Sequence, residues 1–250
     1  MNSAIVLAAG KGVRMKSDLP KVFHKILGKP VLSYVLDAVE GFGFDRVYLI
    51  VGHKANVIRD YYQSEDVIFV EQKERLGTGH AVMQVGPQLK DVDGTTVVLA
   101  GDMPLISSQT INELVAFHKK MNAKATVLTA MAKEPFGYGR IVRDESGQIV
   151  KIAEEKDANP DEKKIDEINT GIYCFDNRTL FLALKELKPE NAQKEYYLTD
   201  TIRILKEKGL PVFAHLCERP LEAMGINTQD ELRAVEKIIS SEEHPAESRA

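Results

Sequence analysis

The sequence predicts an α/β protein built on a doubly wound, mostly parallel sheet, with a smaller lobe that contains a hairpin. Three observations lead there. Short apolar runs rich in Val and Ile alternate with segments of helical spacing, the rhythm of strand–helix–strand repeats. After about residue 132 the rhythm gives way to a hairpin signature before strands and helices resume. The 250 residues, 44% apolar and 28% charged, supply core material for one large domain or two small ones.

Ala4–Ala8 reads as a buried strand because it is continuously apolar, brief and stopped by Gly10. Arg46–Val51, Val67–Val70, Thr95–Ala100 and Ala125–Met131 repeat the type. Between them, Val31–Val39 sets Leu32, Val35, Leu36 and Val39 at helical spacing. Ile111–Met121 does the same with Ile111, Leu114, Val115 and His118, behind Ser107 or Ser108 as N-cap. Arg140–Arg143 and Gln148–Ile152 flank the turn Asp144-Glu145-Ser146-Gly147. Residues 154–168, rich in acids and lysines, read as a solvated loop or mobile flap. A strand at Thr170–Phe175 and helices at Arg178–Leu187 and Tyr197–Lys208 follow. Next come a strand at Val212–Leu216 and a helix from about Gln229 to Ile239, capped by Thr228. The small, polar tail Ser240–Ala250 is expected to fray. Residues 1–227 are thus assigned to one domain, and 228–250 to a C-terminal helix and tail.

Composition excludes several classes. Lys and Arg total 33 against 37 Asp and Glu, a net charge of -4, whereas a general nucleic-acid binder carries a basic excess. Cys174 and Cys217 show no CxxC spacing and no His/Cys cluster, which argues against a zinc site or disulfide scaffold and fits a reducing cytosol. No run approaches the ~18 apolar residues of a membrane span. The opening Met1-Asn2-Ser3-Ala4 lacks the basic region of a signal peptide. A cytoplasmic protein without nucleic-acid or membrane partners is expected.

The chemistry starts at Leu7-Ala8-Ala9-Gly10-Lys11-Gly12-Val13-Arg14-Met15, followed by Pro20-Lys21. A glycine-bearing loop at the carboxyl end of a parallel strand lets backbone N–H groups approach a phosphate chain, and Lys11, Arg14 and Lys21 add positive charge. No Gly-Lys-Ser/Thr ends it, so it is not a Walker loop. Arg14-Met15 stands where a dinucleotide fingerprint needs its third glycine, and Leu32, Ser33 and Tyr34 stand where its acid should be; both disfavour an oxidoreductase. Asp102, just past the Thr95–Ala100 strand, emerges at the same sheet edge and suits a hard, oxygen-liganded cation.

The loop pattern Leu-x-x-Gly-x-Gly-x-Arg-Met, then Pro-Lys, resembles the signature of the sugar-1-phosphate nucleotidylyltransferases. Further segments occur in the family's order: Leu76-Gly77-Thr78-Gly79-His80-Ala81, Ala100-Gly101-Asp102-Met103-Pro104-Leu105, Tyr138-Gly139-Arg140-Ile141, Glu154-Glu155-Lys156, Asn169-Thr170-Gly171-Ile172, Glu195-Tyr196-Tyr197-Leu198-Thr199-Asp200 and Gly225-Ile226-Asn227. Together, over about residues 3–239, they are similar to the uridylyltransferases that make UDP-N-acetylglucosamine.

The resemblance implies a Rossmann-like fold of the nucleotide-diphospho-sugar transferase type. It implies transfer of a uridylyl group from UTP to N-acetylglucosamine 1-phosphate, with Arg14 and Lys21 as the catalytic cations and Mg²⁺ on Asp102 and Asn227. Nucleotide contacts fall to Leu7, Ala8, Ala9, Gly10, Gly12, Lys21, Gln72, Arg75, Gly77 and Thr78. Sugar contacts fall to Asp102, Gly139, Glu154, Asn169, Thr199 and Asn227. A carboxylate and an amide can hydrogen-bond sugar hydroxyls and an acetamido group, so Glu154 and Asn169 are chemically apt.

Two residues depart from the family pattern. Val13 replaces a usual Thr or Ser, and Arg75 replaces a Gln that reads the uracil edge, so selection of UTP over dTTP or CTP is expected to weaken. His53 and His80 read as local hydrogen-bonding residues, and Tyr61-Tyr62 and Tyr196-Tyr197 as packing residues. Another sugar or alcohol phosphate, another nucleoside triphosphate and a non-catalytic nucleotide-sugar sensor remain open. Family members that also acetylate glucosamine 1-phosphate do so with a C-terminal β-helix that builds a trimer. No hexapeptide repeat is visible here, so a monomer or weak dimer is expected.

Overall fold

A computed structural model describes residues 1–243 of the chain. β1 (Asn2–Ala8) leads through a short ribbon, β2 (Lys25–Ile26) and β3 (Lys29–Pro30), into α1 (Val31–Phe42). Then come β4 (Arg46–Val51), α2 (Ala55–Tyr61), β5 (Ile68–Glu71), α3 (Thr78–Met83), α4 (Gly86–Leu89), β6 (Thr95–Ala100) and α5 (Ser108–Lys120). β7 (Ala125–Met131) precedes the hairpin of β8 (Arg140–Arg143) and β9 (Ile149–Ala153). β10 (Glu167–Asp176), α6 (Asn177–Leu184), α7 (Asp200–Glu207), β11 (Val212–Leu216) and α8 (Gln229–Glu243) follow.

The main sheet runs β11-β7-β10-β6-β1-β4-β5. β1 pairs in parallel with β4 and β6, β4 with β5, and β7 with β11. Alternation within the central strands explains why both sheet faces are apolar. Ala4, Val6, Leu49, Val51, Val97 and Leu99 pack with Leu32, Val35, Ile111 and Leu114 of α1 and α5. Ile5, Tyr48, Ile50, Val98 and Phe175 pack with Val82, Leu180, Ile202 and Leu205 of α3, α6 and α7. The chain leaves β1 toward β4 on one side and returns to β6 on the other. The loops after β1 and β6 therefore diverge and open a crevice at the carboxyl ends of the strands.

Several expectations are corrected. β10 runs antiparallel between β6 and β7, a direction that its apolar run did not encode. Residues 154–168 form a largely exposed loop, as expected, but one pinned at several points. Ala158 and Glu162 are buried, Asn159 Oδ1 accepts from the backbone of Asp161 and Glu162, and Lys151 pairs with Glu162 at 2.6 Å. The helix expected from Tyr197 begins at Asp200, because Tyr196 is held extended by Leu76 O (2.7 Å) and by Gly79 N (2.8 Å). α8 extends past Ile239 and takes in Ser240 and Ser241, so fraying does not begin at Ser240; the rest of the expected tail, residues 244–250, lies outside the described residues. Helices α2, α3 and α4 are short and carried no extended periodic stripe to betray them.

α8 starts from a capping box: Glu231 N donates to Thr228 Oγ1 at 3.2 Å, and Thr228 N returns a bond to Glu231 Oε2 at 2.8 Å. Its apolar face (Leu232, Val235, Ile239) joins Met15, Ile26, Val31 and Ile226 in a small core of its own. The helix thereby fixes the chain on either side of Asn227 and the turn that carries Arg14.

Buried His118 bonds Thr126 Oγ1 at 2.9 Å, and burial pushes its imidazole down from 6.5 to about 4. The unfolded chain takes up this proton below pH ~6.5 and the fold does not, so stability falls as pH drops, by roughly 2 kcal/mol at pH ~5. His118→Gln is expected to lose less stability than the parent between pH ~7 and ~5, read from urea midpoints. Equal losses in the two proteins contradict the assignment.

Candidate active site

The loop after β1 turns left-handed at Gly12, with φ at 64°, and then makes a single 3₁₀ turn over Val13–Met15. A Cβ on Gly12 would lie 2.4 Å from Lys21 Cβ, so only glycine lets the Pro20-Lys21 segment cross the loop. Met15 is buried beneath α8 and anchors the turn. From there Arg14 donates to Asn227 Oδ1 at 2.8 Å. Lys21 Nζ donates to the same oxygen at 3.0 Å and contacts the Asp102 carboxylate. The Asp102 carbonyl accepts from Ile226 N at 2.8 Å, tying the β6 loop to the chain before α8. Residues 81 and 206 positions from Lys21 thus meet at one point.

This donor set suits Mg²⁺. It offers a carboxylate and an amide oxygen, both hard, and cationic side chains already gather on them. Among the described residues no group of three His, Cys, Asp or Glu side chains could hold an ion alone. Mg²⁺ sites that work with phosphates commonly take only one or two protein ligands.

Beside the cluster lies a cleft of about 540 Å³ lined by Leu7, Ala8, Ala9, Gly10, Lys21, Gln72, Arg75, Gly77, Thr78 and Asp102, among others. All the residues expected to contact nucleotide are in its wall except Gly12, which lies against Lys21. Gly77 has φ 111°, and a Cβ there would lie 2.6 Å from Tyr196 O, so the Leu76–Gly79 stretch can press against Tyr196. Gln72 is buried; its Nε2 donates to Gly77 O at 3.0 Å and lies 3.2 Å from His80 Nδ1. His80 also meets Gln84, so it serves local hydrogen bonding as expected. Arg75 is exposed at the rim, with no hydrogen bond or ion pair to the described residues. His53 is held below its usual range by burial and then by the charges of Arg75, Lys11 and Lys54. The cleft mouth is thus cationic although the chain is net acidic.

The sugar-contact candidates also converge. Glu154 follows β9 and is half-buried; desolvation raises its carboxyl above the ordinary range, while Thr199 donates to its Oε1 at 2.9 Å. That bond explains why Thr199 precedes α7 without capping it through its side chain. Asn169 sits where the β10–β7 register shifts, its N–H donating to Gly139 O at 2.8 Å. A Cβ on Gly139 would lie 2.9 Å from Ile152 Cγ2, 3.4 Å from Asn169 Cβ and 3.6 Å from Glu154 Oε2, so Gly139, Glu154 and Asn169 lie side by side. Burial and then the charges of Glu231 and Asp102 push the Tyr138 phenol up, which sets this lobe close to the cation cluster.

Sequence reasoning missed three residues here. Buried Arg140 donates to Glu155 Oε2 at 2.9 Å and to Tyr138 O, and Gly137 N donates to the same Glu155 oxygen at 3.0 Å. This pair staples the loop before β8. Tyr173 Oη, 2.7 Å from Asn169 Nδ2, is the third. A lone charge at a strand start was the available signal for Arg140; Tyr173 gave none beyond a core aromatic.

A doubly wound sheet with a glycine loop, two phosphate-type cations and an oxygen-donor pair at its carboxyl edge defines a nucleotidyltransferase domain. Residues 4–196 match the family model described as the MobA-like NTP transferase domain, and the chain belongs to that family. It is 48% identical over 247 residues to the bifunctional protein GlmU of Latilactobacillus sakei, across 99% of this chain and 53% of that protein. To GlmU of Lactococcus lactis it is 51% identical over 234 residues, across 93% of this chain and 51% of that protein. The chain thus spans about half the length of these curated relatives. A solved UDP-glucose pyrophosphorylase in complex with UDP-glucose superposes with a TM-score of 0.78, covering 97% of this chain and 99% of that one. At 20% identity that likeness shows the fold, which is the Rossmann-like nucleotide-sugar transferase type. Among the described residues no helix is long and apolar enough to cross a membrane.

Proposed function

We propose that this chain transfers the uridylyl group of UTP to N-acetylglucosamine 1-phosphate, giving UDP-N-acetylglucosamine and pyrophosphate. The observation that carries the reading is the meeting of Lys21 and Arg14 with Asp102 and Asn227 beside a nucleotide-sized cleft, together with the grouping of Gly139, Glu154 and Asn169. The GlmU relatives support the choice of reaction within the family.

An oxygen of the sugar phosphate attacks the α-phosphorus in line, and the bond to the bridging oxygen of pyrophosphate breaks. The attacking oxygen is already anionic at neutral pH, so no general base is required. The protein's work is positioning and charge stabilisation. Lys21 and Arg14 steady the phosphates, and the glycine loop offers backbone N–H groups to them. Mg²⁺, held by Asp102 and Asn227, would neutralise charge on the transferring phosphate. Glu154, Thr199, Asn169 and Gly139 bind the acceptor sugar. Residues 1–227 form the catalytic unit in this reading, buttressed by α8, and the chain acts as a monomer or weak dimer in the cytoplasm.

Base selection is proposed to rest on buried Gln72 with the backbone of Ala8, Ala9 and Gly77, rather than on exposed Arg75. A side chain in solvent exerts little control over a base buried elsewhere. Arg75→Gln is therefore expected to shift the kcat/KM ratios among UTP, dTTP and CTP by about twofold at most. Were Arg75 to read the base, the cost of one unpaired buried group would make the change roughly 5- to 150-fold. A shift in the larger range returns the base-reading role to Arg75. The whole reading is tested by pyrophosphate release across a panel of nucleoside triphosphates and sugar 1-phosphates. The pair UTP with N-acetylglucosamine 1-phosphate should stand highest, and a different best pair rejects it.

A further inference from the structure

The side chain of Asn169 is fixed from both ends. A backbone N–H can only donate, and Gly171 N lies 3.1 Å from Asn169 Oδ1, so the carboxamide oxygen must face Gly171. The amide nitrogen is thereby placed 2.7 Å from the hydroxyl of Tyr173, which accepts one of its hydrogens. Tyr173 is 3% exposed and stacks on Phe175 with ring centroids 5.7 Å apart, so its hydroxyl is held still by the core. Burial, and then the charge of Glu154, keep the phenol protonated throughout the physiological range. Packing alone asks only for a phenyl ring at this place, as Phe175 shows two residues on. The hydroxyl needs another reason, and its partner is the amide assigned to the sugar.

Resting on the placement of Asn169 in the sugar subsite, we propose that Tyr173 is a positioning residue for acceptor selectivity. Gly171 N fixes which end of the Asn169 carboxamide is oxygen, and the Tyr173 hydroxyl holds the other end, so the plane of the amide is set for reading an acetamido group. The free lone pair of Oδ1 and the second hydrogen of Nδ2 then present a fixed acceptor–donor pair to the ligand. An N-acetylated hexose 1-phosphate is taken in preference to an unacetylated one. Without the hydroxyl, the part-buried N–H loses its acceptor and the carboxamide is held only through Oδ1 at Gly171 N, so its plane can swing about the last torsion and the second N–H is no longer aimed.

The test is a double-mutant cycle on Tyr173→Phe and Asn169→Ala, reading kcat/KM with UTP for N-acetylglucosamine 1-phosphate and for glucose 1-phosphate. The ratio of the two does not depend on how much enzyme is folded, so a loss of stability cannot imitate the effect. Tyr173→Phe is expected to lower the ratio about tenfold, mainly through KM for the acetylated substrate, with KM for UTP within about twofold of the parent. Added to Asn169→Ala, the same change should move the ratio by less than about twofold, because no amide remains to orient. An unchanged ratio in Tyr173→Phe, or an equal drop in both backgrounds, overturns the proposal and leaves Tyr173 a packing residue. No turnover of either sugar phosphate by the parent enzyme rejects the underlying reaction, and the proposal with it.

Discussion

Asp102→Ala is expected to lower kcat by about a thousandfold or more while the fold survives. The carboxylate lies beyond the end of β6, is partly exposed, and bonds through its side chain to Lys21 rather than to the core. Its removal deletes one of two oxygen donors proposed for Mg²⁺, and electrostatic stabilisation of this kind accounts for several kcal/mol of barrier lowering. Pyrophosphate release should fall to near background, with a thermal midpoint within a few degrees of the parent. Undiminished turnover at saturating Mg²⁺ would sink the assignment.

Lys21→Met is expected to cost roughly 100- to 1000-fold in kcat. Among the described residues, Lys21 is the one whose side chain bonds both Asp102 and Asn227, and it also lines the nucleotide cleft. Methionine keeps much of the stem's bulk beside Gly12 but carries no charge to the phosphates. Loss should appear in kcat more than in KM for the sugar phosphate, because the Glu154 and Asn169 side of the site is untouched. A loss below about fivefold would show that Arg14 alone supplies the cationic contribution.

Much of the frame was legible because local chemistry and tertiary role agree there. β4, β6, β7, β8 and β11 begin and end where their apolar runs meet turn residues. Ser107 caps α5 by accepting from Thr110 N, the expected N-terminal device. The Gly12–Arg14–Lys21 loop was readable because glycine spacing and charge are local properties. Its meeting with Asn227 was reached only through resemblance to a family, since nothing local brings positions 206 apart together.

What stayed hidden depends on neighbours far along the chain. The 154–168 stretch is largely exposed, as its composition suggests, yet its half-buried first residue, Glu154, is held by Thr199 from the start of α7. Arg75 and Gln72 are equally polar in sequence; only the packing of Gly77 against Tyr196 draws one inside and leaves the other at the rim. The hydroxyl of Tyr173 matters through Asn169, and a strand pattern records only that the ring is apolar.

The central claim is that the cation cluster and the Gly139–Glu154–Asn169 group serve one transfer reaction. The most direct measurement follows both products at once, with UTP, N-acetylglucosamine 1-phosphate and Mg²⁺, against the same mixture in EDTA. Phosphorus NMR should show UDP-N-acetylglucosamine and pyrophosphate rising in equal amounts with Mg²⁺, and neither forming in EDTA. Pyrophosphate released without the nucleotide sugar, or formation of both at an undiminished rate in EDTA, would contradict the account.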